Sequence, residues 1–176
     1  FRRTGILSCA NGDSFRHGCI LDDWLGYIAG VFGSLIDAAG TRYTDRLAFV
    51  IPDHVSLSYS ELAARVRERA GQLIDAGVTP GGVVALRLDS DEQYLVSALA
   101  VQAMGGICAG VSPVLAEAEA DRLIAHLDPT LLIDSHWIAA APNASSQPCW
   151  PLSSPESPCA IVFTSGTTGT PKGALF

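Results

Sequence analysis

Apolar residues recur at steps of three and four from Trp24. Leu25, Ile28, Phe32, Leu35 and Ile36 would share one helical face, which predicts a helix over Trp24–Ile36. Leu47 to Ile51 is a continuous apolar run that Pro52 stops, so a short strand is expected there. The next helix is marked by its start. In Leu57-Ser58-Tyr59-Ser60-Glu61-Leu62, Ser58 can accept from the amide three residues on, and Glu61 can reach back to the Ser58 amide. Leu62, Val66, Ala70 and Leu73 then line one face, with Arg65, Arg67, Glu68 and Arg69 on the remainder. Gly77 ends it and Pro80-Gly81 turns the chain.

A regular alternation follows. Val83–Leu88 reads as a strand, and Asp89 and Ser90 can cap a helix over Asp91–Met104. Gly105-Gly106 breaks that helix before a strand over Ile107–Val111. A helix over Leu115–Leu127 ends at Asp128-Pro129, and Thr130–Ile133 is the next strand. Strands alternating with helices at this spacing predict an α/β fold, a layered and mostly parallel sheet with right-handed crossovers and helices on both faces. Five of the ten prolines fall within residues 141–158, among serines, so this stretch reads as an irregular connection. An apolar strand over Ala160–Phe163 comes next. Residues 1–29 carry no clear assignment, and residues 30–176 form the structured part.

Composition narrows the function. Hydrophobic residues make up 48 % of the 176, enough for a sizeable core. The net charge of −7 comes without a basic block, which argues against nucleic acid, because phosphate contacts need clustered cations. Cys9, Cys19, Cys108, Cys149 and Cys159 are odd in number and show no CxxC spacing. They read as reduced thiols of a cytoplasmic protein, in which the Asn143-Ala144-Ser145 sequon goes unused. No stretch near the start is long enough to span a bilayer. His17, His54, His126 and His136 have no metal-ligand spacing, so no metal site is expected on this chain. Asp89 and Asp91 read as helix caps rather than a cation site, and Trp137 and Trp150 are expected to cover the sheet edge. The chain lacks an initial Met and stops at Phe176 inside an apolar run, so it is expected to be a fragment of a longer protein.

The chemistry lies just after the last of these strands. Thr164-Ser165-Gly166-Thr167-Thr168-Gly169-Thr170-Pro171-Lys172-Gly173 combines glycines that let amides converge with hydroxyls that add donors, a composition suited to a nest for anionic oxygens. Ten of the eleven basic residues are Arg, and the single Lys is Lys172, a point charge able to reach a phosphate beyond the loop. The spacing is not that of a Walker A loop, because Pro171 precedes the Lys and Gly173 follows it. A polar turn that binds nothing is the competing reading. The preceding strand and the placement of the sole Lys favour a nucleotide-phosphate cradle.

Thr164 to Gly173 resembles the signature phosphate loop of the adenylate-forming superfamily, which includes acyl- and aryl-CoA synthetases, luciferases and the adenylation domains of nonribosomal peptide synthetases. Leu57–Leu62 is similar to that family's early LTYxEL box, and Val101–Pro113 to its second box, LKAGAAYVPLDP. The three stretches are collinear, and the resemblance covers about residue 30 to 176. In the second box this chain departs from the pattern: Gly110 stands where Pro is usual, Ser112 where Asp or Asn is, and Cys108 where an aromatic or aliphatic residue is common.

The resemblance implies the upstream part of the large domain of an enzyme that joins a carboxylic acid to ATP as an acyl-adenylate and expels pyrophosphate. By position, Ser165, Thr167 and Thr168 would be hydroxyl donors to ATP and Gly166 and Gly169 would allow close backbone approach. Lys172 would pair with the β- and γ-phosphates and Thr164 would brace the loop. Mg²⁺ ligands, the acyl pocket and the family's catalytic lysine are expected downstream, so no catalytic residue is assigned on this chain and the chain alone is expected to be inactive. The acceptor would be coenzyme A or a carrier-protein phosphopantetheine. Thr167 in the SGTTG run leans toward an acyl- or aryl-CoA ligase of fatty acid metabolism, with an amino-acid adenylation domain of a peptide synthetase as the alternative. A truncated, non-catalytic nucleotide- or partner-binding protein is the alternative of another class.

Overall fold

A computed structural model describes residues 31–52, 54–89, 91–151, 156–164 and 172–176. The expected helix from Trp24 is described from Val31, and α1 runs over Val31–Arg42, beyond the expected end at Ile36. Ala38 and Ala39 carry the helix on, since alanine gives up no side-chain freedom there. The expected strand at Leu47 is β1 (Leu47–Ile51). It pairs antiparallel with β2 (Val55–Ser58), which the sequence reading merged into the following cap.

Helix α2 (Tyr59–Asp75) starts as its sequence dictates. Ser58 Oγ accepts from the Glu61 amide, and Glu61 Oε2 accepts from the Ser58 amide at 2.8 Å. That backbone donor, then the Ser58 hydroxyl, holds the Glu61 carboxyl below its ordinary range. At the far end Gly77 takes φ +85°, and the amides of Gly77 and Val78 reach the carbonyls of Ile74 and Leu73. This is a Schellman closure, which a residue with a Cβ would strain.

The main sheet has the order β5-β3-β4-β6-β7, with β3 (Val83–Arg87), β4 (Ile107–Gly110), β5 (Leu131–Asp134), β6 (Ala160–Thr164) and β7 (Lys172–Leu175). The first four are mutually parallel and β7 runs antiparallel to β6. Helix α3 (Asp91–Ala103) links β3 to its neighbour β4, whereas α4 (Glu117–Leu127) carries the chain back past β3 to β5. Crossovers of one hand that run in opposite directions must lie on opposite faces. They do: Val84, Leu86, Cys108 and Ile133 pack with α2 and α3, and Ala85, Leu132 and Phe163 pack with α4. The expected α/β sheet with helices on both faces is therefore the observed fold. A short helix missed in the sequence, α5 (Ser135–Ala140), starts where Asp134 Oδ1 accepts from the Trp137 amide at 2.7 Å.

The Pro/Ser segment is more ordered in its contacts than its composition suggests. From α5 it passes over the outside of α1 and α2 on its way to β6. Asp75 accepts from Ser145 and Ser146, Glu68 from the Ala144 amide, and Pro142 O from Gln72. Gly71 makes room for this strap, since a Cβ there would stand 2.5 Å from Ser146 O. Trp150 was expected over the sheet edge. It instead lies on the helices, against Gly33, with its indole N–H donating to Asp37 and the Arg67 guanidinium stacked 5.3 Å from its ring. Arg67 also grips Asp37 through Nε at 2.8 Å.

Two outcomes follow from this packing. Replacing fully buried Leu86 by Ala should cost about 2–5 kcal/mol in urea unfolding, while half-exposed Val50→Ala should be near neutral. The Ser146 hydroxyl, followed by the Ser145 amide, pulls the Asp75 carboxyl from 3.8 down to about 2. A lowered folded pKa stabilises the strap fully above the unfolded value, and that contribution fades as pH falls from about 4 toward about 2. Asp75→Asn should remove this acid-side slope, read as hydrogen exchange of the Ser145 and Ser146 amides against pH.

Candidate functional site

The two ends of the phosphate-loop motif meet on one rung of the sheet. Thr164 ends β6, Lys172 opens β7, and the two are register partners. Antiparallel partners lie about 4.5–5.5 Å apart between α-carbons, so the motif leaves and re-enters the sheet at a single point. Of the residues assigned to phosphate binding, the main chains of Thr164 and Lys172 are thus side by side, while Ser165, Gly166, Thr167, Thr168 and Gly169 lie outside the described residues.

The topology sets where that point is. Because β6 runs parallel to β4, Thr164 stands at the carboxyl edge of the sheet. The chain leaves β3 toward α3 and leaves β4 toward α4, on opposite faces, so the sheet opens a crevice at this same edge. Ligands of open α/β sheets bind outside the carboxyl ends of the strands near such a reversal. Behind the rung the hairpin is braced by Phe163, which packs with the α4 core and whose ring would lie 3.3 Å from a Cβ on Gly173. Glycine across from an aromatic lets the ring lie over the backbone of the partner strand.

Burial, then Cys159, pushes the Cys108 thiol up to about 11, which leaves it a poor nucleophile. Among the described residues no three His, Cys, Asp or Glu side chains approach closely enough to hold a metal. No helix among them is long and apolar enough to cross a membrane. One feature was misread from the sequence. Arg69 was placed on the outer face of α2, yet it is 9 % exposed. It lies over Trp137 at 5.4 Å and donates to Gln93 Oε1 at 2.8 Å, at the floor of a cleft of about 490 Å³ between α2 and α3. Burial lowers its pKa from the ordinary value. At the mouth of that cleft Arg65 is ion-paired with Glu92. No helical spacing rule flags such an arginine, because its partners come from α3 and α5.

The AMP-binding enzyme family model matches residues 36–150. The chain belongs to that family. Its curated relatives include a probable non-canonical nonribosomal peptide synthetase, CymA of Salinispora arenicola, 32 % identical over 147 residues. The nonribosomal peptide synthetase anaPS of Neosartorya fischeri is 30 % identical over 161 residues. The match covers 83 % of this chain but 2 % of CymA, and 80 % of it but 7 % of anaPS. Among solved structures, the N-terminal subdomain of Klebsiella oxytoca NpsA with 3-hydroxyanthranilyl-AMSN superposes at a TM-score of 0.72 and 23 % identity. That likeness covers 84 % of this chain and 40 % of the NpsA chain, and it concerns the fold. The N-terminal domain of FACL13 from Mycobacterium tuberculosis superposes comparably, at 0.69 and 20 % identity. The expected membership of the adenylate-forming superfamily, and the placement at its N-terminal subdomain, therefore stand. The preference for a CoA ligase does not gain from the relatives, which are peptide synthetases.

The hairpin gives its own test. Gly173→Val would drive a branched side chain toward Phe163 and Ile161, whose nearest atoms already lie 3.3 and 3.1 Å from a Cβ. It should cost about 1–3 kcal/mol in unfolding experiments, whereas a valine at exposed Ala174 in the next position should be tolerated.

Proposed function

We propose that this chain supplies the phosphate-loop side of an adenylation domain that loads a carrier protein. The acid's carboxylate oxygen attacks the α-phosphorus of ATP, the acyl-adenylate forms, and pyrophosphate leaves with the displaced electron pair. A phosphopantetheine thiol then takes the acyl group and AMP departs. The observation that carries this reading is the Thr164–Lys172 rung, which seats a motif of hydroxyls, glycines and one lysine at the carboxyl edge of a parallel sheet.

The main physical task is to stabilise charge that builds on the β- and γ-phosphates as they depart. Donors fixed in advance do this at little reorganisation cost. Ser165, Thr167 and Thr168 donate hydroxyls, Gly166 and Gly169 let the backbone approach, Thr164 anchors the loop to β6, and Lys172 supplies the cation. Mg²⁺, when present with ATP, would add charge neutralisation at the same phosphates. The peptide-synthetase relatives support a carrier-protein acceptor, and the artificially fused adenylation–PCP di-domain NpsA-ThdA pairs the same fold with a carrier. The SGTTG run is the feature that favours coenzyme A instead.

The test is ATP–pyrophosphate exchange by the full-length gene product over a panel of amino and aryl acids, followed by a comparison of carrier protein and coenzyme A as acceptors. Exchange should depend on one class of acid, and acyl transfer should go to the carrier. Lys172→Ala should cost about 2–4 kcal/mol of transition-state stabilisation. An unchanged exchange rate in that variant would remove Lys172 from the site.

A further inference from the structure

The second box departs from its usual sequence at Gly110, and the structure shows what fills the room. Gly110 ends β4, and a Cβ built on it would stand 2.7 Å from the hydroxyl oxygen of Tyr94, which comes from the first turns of α3. A side chain at position 110 would therefore displace the phenol from this place. Tyr94 is 38 % exposed, and its hydroxyl makes no hydrogen bond among the described residues. Burial, and secondarily Cys108, raises its pKa, so the phenol stays protonated and remains a donor at neutral pH.

This donor faces the side of the sheet that leads to the motif. One residue past the last registered pair of β4 and β6, Ala109 with Ile161, Gly110 comes level with Val162. Val162 is 49 % exposed, so α3 stops short of covering β6, and Tyr94 stands at that boundary. Thr164 follows two residues later on the neighbouring strand, about 8 Å from Gly110 by ordinary strand spacings. A half-desolvated phenol with no hydrogen-bond partner among the described residues is thus held at the carboxyl edge, one strand from Thr164.

We propose that Tyr94 is an additional nucleotide-binding residue, seated by Gly110 so that its hydroxyl donates to a phosphate oxygen of ATP bound at the carboxyl edge between β4 and β6. The inference rests on the phosphate-site reading above and adds to it a residue outside the motif. The second box then acts as a seat: the missing side chain at position 110 sets how far the hydroxyl projects over β4.

The decisive variant is Tyr94→Phe in the full-length gene product, which removes one oxygen and keeps the ring. Calorimetric titration with ATP should show Kd raised about ten- to a hundredfold, as expected for losing a hydrogen bond to a charged group. The KM for ATP in exchange should rise in step, with the KM for the acid and the melting temperature unchanged. Gly110→Ala, which displaces the hydroxyl without removing it, should weaken ATP in the same way. An unaltered ATP Kd in Tyr94→Phe overturns the proposal, and so does a loss of ATP and acid affinity together with a lower melting temperature, the signature of a packing role. Lys172→Ala separates the two readings. If that variant loses exchange while Tyr94→Phe keeps wild-type ATP affinity, only the role of Tyr94 falls. If Lys172→Ala is silent as well, the phosphate site itself is misplaced.

Discussion

Val84, Ala85 and Leu86 have no exposed surface, so β3 needs cover on both sides of the sheet. A strand buried on both faces reads as an unbroken apolar run, and it obliges the helices that follow β3 and β4 to go to opposite faces. Once α3 and α4 part in this way, the carboxyl ends of the strands are left open between them. The position available to a ligand is therefore a by-product of how the core is covered. Thr164 and Lys172, the ends of the loop motif, stand at the same edge because β6 joins β4 in parallel.

The parts of this arrangement that were legible in the sequence are those fixed by local rules. The capping box at Ser58 and Glu61, the glycine closure at Gly77 and the strand–helix alternation from Val83 each follow from a few neighbouring residues. The parts that were not legible are set by distant partners. Strand β2 is short and borders a cap, so its pairing with β1 left no period to read. Arg69 carries a charge at a helical position that looks outward, yet Gln93 and Trp137 from other helices enclose it. Trp150 was assigned to the sheet edge because aromatic residues often cover one, but the available space is over Gly33 on α1. The identity of the site came from a motif whose residue types announce their chemistry. Its placement at the carboxyl edge needed the strand order.

The chain spans about two-fifths of the NpsA subdomain it superposes on, and it carries the phosphate motif and the first helical layers. The part of the chain that bears the Thr164–Gly173 motif is held on the parallel sheet. Pre-organised donors need a scaffold that does not relax around the charge they stabilise.

The strap ties together parts of the chain that are far apart in sequence. It joins Asp37 to Trp150 across a separation of 113 residues and α2 to the Ser145–Ser146 pair across about 70. Contacts so far apart in sequence reward the chain only after the intervening loop has closed. The surface they grip exists only when α1 and α2 are already seated on the sheet. Residues 142–150 thus fasten the helical layer from outside, like a buckle closed over a finished parcel, and a break in them would free α1 and α2 from one another's far side.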